Sequence, residues 1–172
     1  MSNFDIIIKD NFIEKNLFEE LKNKIPYLKY NSLGNYLKNE KGSHVWFSAP
    51  VENKIENIIK EKCEKTLNKK FKVPLCCYTM LGSHEPLVHS DNSRADYQAI
   101  IYIKGDTNLN KGTGFYVFNK ETNSHELNTH VGFYENRAII WDSNIFHSPM
   151  NWSSDNKSFR FSIIIQLKNY EE

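Results

Sequence analysis

Apolar residues at helical spacing occur in two stretches, both before residue 74, and nearly every later apolar run alternates in the manner of a strand. The first stretch is Ile13, Leu17, Phe18, Leu21 and Ile25; it ends at Pro26 and follows Asn11 and Glu14, which are spaced like a capping box. The second is Val51, Ile55, Ile58, Ile59, Cys63 and Leu67, after Ser48 and Pro50, with charged residues filling its other side. Strands are expected over 4–8 and 44–48, then over 75–80, 98–103, 114–118, 130–134, 137–141 and 159–167. Polar loops are expected over 31–43, 104–111 and 119–129. Early helices followed by strands imply an α+β domain in which the helices brace one face of a mostly antiparallel double sheet or jelly roll. At 172 residues the simplest organisation is a single domain over 1–172, with 1–73 supplying the first strands and bracing helices and 74–168 the jelly-roll core.

The closing strand has two unlike faces. Alternation puts Phe159, Phe161, Ile163 and Ile165 on one side, suited to packing on the helices, and Arg160 with Ser162 on the other. A guanidinium turned into a sheltered interior is costly unless an anion accompanies it. An acidic small molecule would satisfy Arg160 and Ser162; an internal ion pair to Asp96 or Asp142 is the alternative. Elsewhere, His89 and Asp91 are two apart in an extended stretch and point to the same side. Two histidines and one carboxylate on one face form the donor set of non-heme Fe(II) sites. The second histidine is best placed at His147, which follows the apolar run Ala138-Ile139-Ile140-Trp141 and the turn Asp142-Ser143-Asn144 and precedes Pro149. His84, beside His89 in sequence, is the rival; His44 lacks such a position, and His125 and His130 are expected on polar loops.

In order, the chain carries Tyr78, Gly82, His89-x-Asp91-Asn92, Arg94, Ile101-Tyr102-Ile103, Gly112-x-Gly114, Phe118, Trp141-Asp142-Ser143, His147 and Arg160-Phe161-Ser162. This ordered set resembles the 2-oxoglutarate and Fe(II) dependent oxygenases, closest to their prolyl 4-hydroxylase-like branch. Asp10-Asn11-Phe12-Ile13 and the helix after it are similar to the start of that family, so the likeness covers nearly the whole chain. The resemblance implies a double-stranded β-helix (jelly roll, cupin-like) with Fe(II) held by His89, Asp91 and His147. It implies that Arg160, helped by Tyr102 and with lesser roles for Ser162 and Tyr78, holds the distal carboxylate of 2-oxoglutarate. The activity it implies is a dioxygenase that uses O2, converts 2-oxoglutarate to succinate and CO2, and hydroxylates an unactivated C–H bond, with a prolyl residue as the family-guided substrate. The stretch from His147 to Arg160 is longer than the family's usual one, which leaves Lys157 or Arg137 as a substitute anchor. The family's paired glycines stand here as Gly112-Thr113-Gly114, which leaves the placement of that hairpin open, and Asn92 or Asp142 is a candidate to orient the histidines.

A net charge of +1 gives no electrostatic footprint for nucleic acid, and no apolar run is long enough to span a bilayer. The expected partner is a small molecule or a peptide or protein side chain, with Tyr36, Trp46 and Trp152 as aromatic candidates near the mouth. Three cysteines, two of them adjacent, fit a reducing compartment, and the first residues lack the basic then apolar order of a signal peptide, so a cytoplasmic location is expected. The competing reading is a cupin-like module that binds a metal or small acid without oxidising anything.

Overall fold

The computed structural model describes residues 5–32, 46–82, 88–150 and 159–170. Among them the chain runs β1 (Ile6–Lys9), α1 (Lys15–Lys24), a 3-10 turn (Ile25–Tyr27), β2 (Asn31–Ser32), β3 (Trp46–Pro50), α2 (Asn53–Leu67) and β4 (Phe71–Leu81). It continues through β5 (Tyr97–Lys104), β6 (Gly112–Asn119), β7 (Ser124–Gly132), β8 (Ala138–Asp142), β9 (Phe146–Met150) and β10 (Arg160–Asn169). A seven-stranded sheet in the order β1-β8-β5-β10-β4-β3-β2 packs against a three-stranded sheet, β7-β6-β9. All their pairings are antiparallel, as in a double-stranded β-helix. The α+β jelly roll read from the sequence is the observed fold.

Both helices cover the outer face of the large sheet. Phe18 and Leu21 from the first, Ile25 from the turn after it, and Ile55, Ile59 and Cys63 from the second meet Ile101, Phe161, Ile163, Ile165 and Leu167 in one cluster. Each such side chain removed from water is worth roughly 1.5–3 kcal/mol, so this layer carries much of the stability. Between the sheets a second cluster, including Ile100, Phe115, Val131, Phe133, Ile139 and Ile164, fills one end of the barrel.

Several boundaries differ from expectation. Asn11 adopts a left-handed turn at φ 53°, and α1 opens at Glu14 with no side-chain cap, so the capping box does not form. Asn136 secures this entry instead: its Oδ1 accepts from the Ile13 amide at 2.8 Å and its Nδ2 donates to the Ile13 carbonyl at 2.7 Å. Pro50 closes β3 rather than opening α2. The polar stretch 119–129 is largely strand, because β7 pairs with β6 while much of its surface faces solvent and needs no apolar alternation. His125 and His130 therefore lie on a strand, not on loops. β9, the segment bearing His147, is likewise a full strand against β6.

The glycines of the Gly112-Thr113-Gly114 segment have a steric cause. Gly112 sits at φ +144°, and a Cβ there would stand 2.1 Å from the Val131 carbonyl oxygen. The close approach lets Gly112 pair with Gly132 at the start of the β6–β7 ladder.

Candidate metal centre and cavity

The small sheet and the segment before β5 bring two imidazoles together through the backbone. His89 and His147 form an antiparallel bridge in which each amide donates to the other's carbonyl, at 3.1 and 2.8 Å. Residues directly opposite in an antiparallel pair send their side chains to the same face, and these rings lie 4.4 Å apart. The Asp91 amide donates to the Ser143 carbonyl at 3.0 Å, which fixes the carboxylate beside them. Asp91 Oδ2 is 3.4 Å from His147 Nε2 and 3.9 Å from His89 Nε2. One ligand atom from each of the three lies within 4.8 Å of the others.

The chemistry of this donor set fits a divalent metal. His147 Nδ1 is 3.1 Å from the Ile145 carbonyl, which can only accept, so Nδ1 carries a proton and Nε2, which faces Asp91, is the nitrogen a metal would take in place of a proton. The partner that orients His147 is thus a backbone carbonyl; the Asp142 carboxylate instead accepts from Asn144 within its own turn. Burial opposes charge on Asp91, but hydrogen bonding and charge from His147, the His89 ring and a hydrogen bond from Gln98 outweigh it and hold the carboxyl below its usual range. An ionised carboxylate between two imidazoles, with one side half-open at His89, is a facial arrangement with room for further ligands.

The triad forms one end of a cavity of about 340 Å³, and Arg160 lies at its wall. Only 2% of Arg160 is exposed; its Nη1 donates to the Gly112 carbonyl at 3.0 Å and its guanidinium lies 5.6 Å from the centre of the Tyr102 ring. Burial lowers the pKa of this cation. The internal ion pairs considered from sequence do not use it: Asp96 accepts from the Asn169 amide and Asp142 from Asn144. Tyr102 is fully buried and its hydroxyl is 2.6 Å from that of Thr113, which lines the cavity. Ser162 is buried beside them on the inner face, its hydroxyl 3.0 Å from Thr79 Oγ1.

Tyr78 does not arrive. It stands on the helix side of β4, and its hydroxyl donates to Glu52 at 2.6 Å, while its neighbours Cys77 and Thr79 face inward. Parity decides this: Ser162 is paired with Thr79 across β10 and β4, so the inward residue is Thr79. Of the substitute anchors, Arg137 is committed to Asp10, at 2.6 and 3.0 Å, and to the Gly132 carbonyl. Lys157, His84 and His44 lie outside the described residues, as do Tyr36 and Trp152, whereas Trp46 on β3 does line the cavity. Sequence reasoning missed Thr113, Gln98, Trp141 and Gln166 as cavity residues. Gln98 shares the parity of Tyr102 on one strand and Gln166 that of Arg160 on another, and that signal was present in the alternation.

No protein-family model matches the chain, and no curated protein matches it. Solved structures do match. HygX from Streptomyces hygroscopicus, with nickel, 2-oxoglutarate and hygromycin B bound, superposes with a TM-score of 0.69 at 7% identity, over 96% of this chain and 83% of its own. An oxidoreductase of the 2OG-Fe(II) oxygenase family from Burkholderia pseudomallei gives 0.64 at 8% identity, over 96% and 86%. A prolyl hydroxylase from Trichoplax adhaerens, in complex with a hypoxia inducible factor oxygen degradation domain peptide fragment, gives 0.62 at 14% identity, over 97% and 84%. At such identities the likeness is one of fold, and the fold is that of the 2-oxoglutarate and Fe(II) dependent oxygenases.

Proposed function

We propose that this protein is a 2-oxoglutarate and Fe(II) dependent dioxygenase that hydroxylates an unactivated C–H bond. In this reading His89, Asp91 and His147 hold the metal and Arg160 anchors the distal carboxylate of 2-oxoglutarate. The observation that carries it is the presence, in one cavity, of a His-Asp-His cluster at ligand spacing and a buried guanidinium. When bound, ferrous iron with 2-oxoglutarate supplies O2 activation, one oxygen atom ending in succinate as CO2 leaves and the other entering the substrate as hydroxyl.

The chain's own residues then have separable tasks. Arg160 offers charge-assisted hydrogen bonds to a carboxylate, and the Thr113 hydroxyl, held by Tyr102, stands on the same wall. Trp46, Leu75, Ile100, Ile164 and Pro149 supply apolar walls that keep water away from the reacting atoms. The His147 ring is fixed by its Nδ1 proton on the Ile145 carbonyl, and Asp91 is held beside it by its backbone amide on the Ser143 carbonyl.

The finer reading, hydroxylation of a prolyl residue, rests on the motif order and on the prolyl hydroxylase among the neighbours. The neighbour with hygromycin B bound supports a small molecule instead. The deciding experiment is O2-dependent succinate formation by iron-loaded protein, with and without proline-containing peptides. Wild type is expected to turn over 2-oxoglutarate slowly even without substrate, and Asp91→Ala or His147→Ala to lower this more than about a hundredfold, beyond what loss of an outer partner costs. Turnover persisting in both variants removes the assigned site. Joint binding of metal and 2-oxoglutarate with no turnover favours the cupin-like binding module.

A further inference from the structure

Asp91, Arg94 and Arg160 are the residues along the cavity wall that carry full charges, and metal and diacid binding use only the first and the last. Arg94 closes the turn that follows Asp91: its amide donates to the Asp91 carbonyl at 3.1 Å, which keeps the two Cα atoms within about 7 Å. Arg94 is solvent-exposed, and among the described residues no hydrogen bond, ion pair or ring contact engages its side chain. The Asp96 carboxylate, two residues on, accepts from the Asn169 amide at 2.7 Å instead.

Arg94 and Arg160 stand at opposite ends of the cavity. Gln98 is paired with Gln166, and the Asp96 amide donates to the Leu167 carbonyl at 2.9 Å, so the chain leaving Arg94 joins the sheet beside the Gln166 end of β10. Arg160 begins that strand on the same inner face, about 20 Å from Gln166 at roughly 3.3 Å per residue. The Arg160 end is closed, whereas Leu75, paired with Gln166, is 37% exposed and marks the open end. The metal ligands stand toward this open end, since Asp91 begins the Arg94 turn and the His147 ring lies 5.0 Å from that of Trp141, the cross-strand neighbour of Gln98. 2-Oxoglutarate, with four C–C bonds of about 1.5 Å each, is far shorter than the span of the cavity, so a molecule held by Arg160 leaves Arg94 to a second ligand.

A divalent ion and Arg160 bring three positive charges, and Asp91 with the 2-oxoglutarate dianion brings three negative ones, so the loaded cavity is neutral except for Arg94. A guanidinium presents a planar fork that matches a carboxylate through two hydrogen bonds. We infer that Arg94 is a specificity-determining residue that pairs with a carboxylate of the substrate, and that the substrate is a small carboxylic acid. The cavity, about 340 Å³ and shared with 2-oxoglutarate, sets the size. A prolyl residue inside a peptide brings no charge to Arg94. This inference rests on the oxygenase reading, which places 2-oxoglutarate at Arg160.

The test is calorimetry on full-length protein holding Ni(II) and 2-oxoglutarate, with acids titrated against their neutral amides: butyrate and butyramide, benzoate and benzamide, N-acetylleucine and N-acetylleucinamide, N-acetylproline and N-acetylprolinamide. At least one acid is expected to bind about tenfold more tightly than its amide, as charge-assisted hydrogen bonds allow. Arg94→Gln should bring that ratio toward one, and Arg94→Lys should keep part of it. Equal binding within every pair, or a ratio preserved in Arg94→Gln, overturns the assignment. Methyl phosphate binding more tightly than every acid also overturns it, because the group recognised is then a phosphoester. Loss of 2-oxoglutarate binding in Arg94→Gln does the same, by making Arg94 an anchor for the co-substrate. Failure of wild type to bind Ni(II) and 2-oxoglutarate jointly sinks the oxygenase reading itself, whereas joint binding with no preference for any acid sinks the Arg94 subsite alone.

Discussion

The two faces of the large sheet are built from the same strands and differ in almost everything else. On the helix side, Ile101, Ile163, Ile165 and Leu167 are wholly buried among apolar neighbours. On the inner side, the intervening positions are the apolar Ile100 and Ile164 together with Gln98, Tyr102, Arg160, Ser162 and Gln166, all of them buried. Burying apolar groups stabilises the fold, while burying polar ones costs free energy unless they find partners. Residues that alternate along one strand thus serve opposite ends: one face packs the helices onto the sheet, and the other sets partnered polar groups around the cavity.

That contrast is open to direct attack. The largest effect is expected from Ile163→Ala, which should cost about 2–5 kcal/mol in denaturant unfolding. Its neighbour in sequence on the other face, Ser162→Ala, should cost only about 1 kcal/mol. Equal losses would mean that the inner face is as structural as the outer one. Next comes Arg160→Met, expected to weaken 2-oxoglutarate binding by about 2 kcal/mol or more, roughly thirtyfold, in calorimetry on the Ni(II)-loaded protein. Its unfolding midpoint without ligand should move less than that of Ile163→Ala, because removing a buried cation also removes its desolvation cost. A large drop in ligand-free stability with unchanged 2-oxoglutarate affinity would make Arg160 structural.

The smallest effect belongs to polarity outside both faces. The hydrogen bond from Arg137, together with its charge, outweighs partial burial and lowers the Asp10 pKa in the folded state. A depressed carboxyl pKa contributes stability above the unfolded value, near 4, that is lost as pH falls through the folded value. Asp10 is nearly half exposed, so the contribution is a few tenths of a kcal/mol. Asp10→Asn should flatten the stability profile below pH ~4 by that amount. A much larger change would show that this pair fastens the N-terminal strand more firmly than a surface pair can.

Local chemistry in the sequence determined more than the element types. Period-two alternation assigned the two faces of β10, set His89 and Asp91 on one side of the chain, and separated the helix-bracing residues from Arg160 and Ser162. It marked His147 as a candidate through its place after an apolar run and a turn. Alternation fixes facing only within a strand, however, and says nothing of which distant strand lies opposite or in what register. The β10–β4 pairing sent Tyr78 to the helices and Thr79 inward; the His89–His147 bridge joined two imidazoles 58 residues apart in sequence. The Asp91 amide on the Ser143 carbonyl, and the Tyr102 hydroxyl against that of Thr113, likewise join chain segments that meet only in the closed barrel. Those contacts are set by long-range pairing and packing, and so the tertiary structure alone decided them.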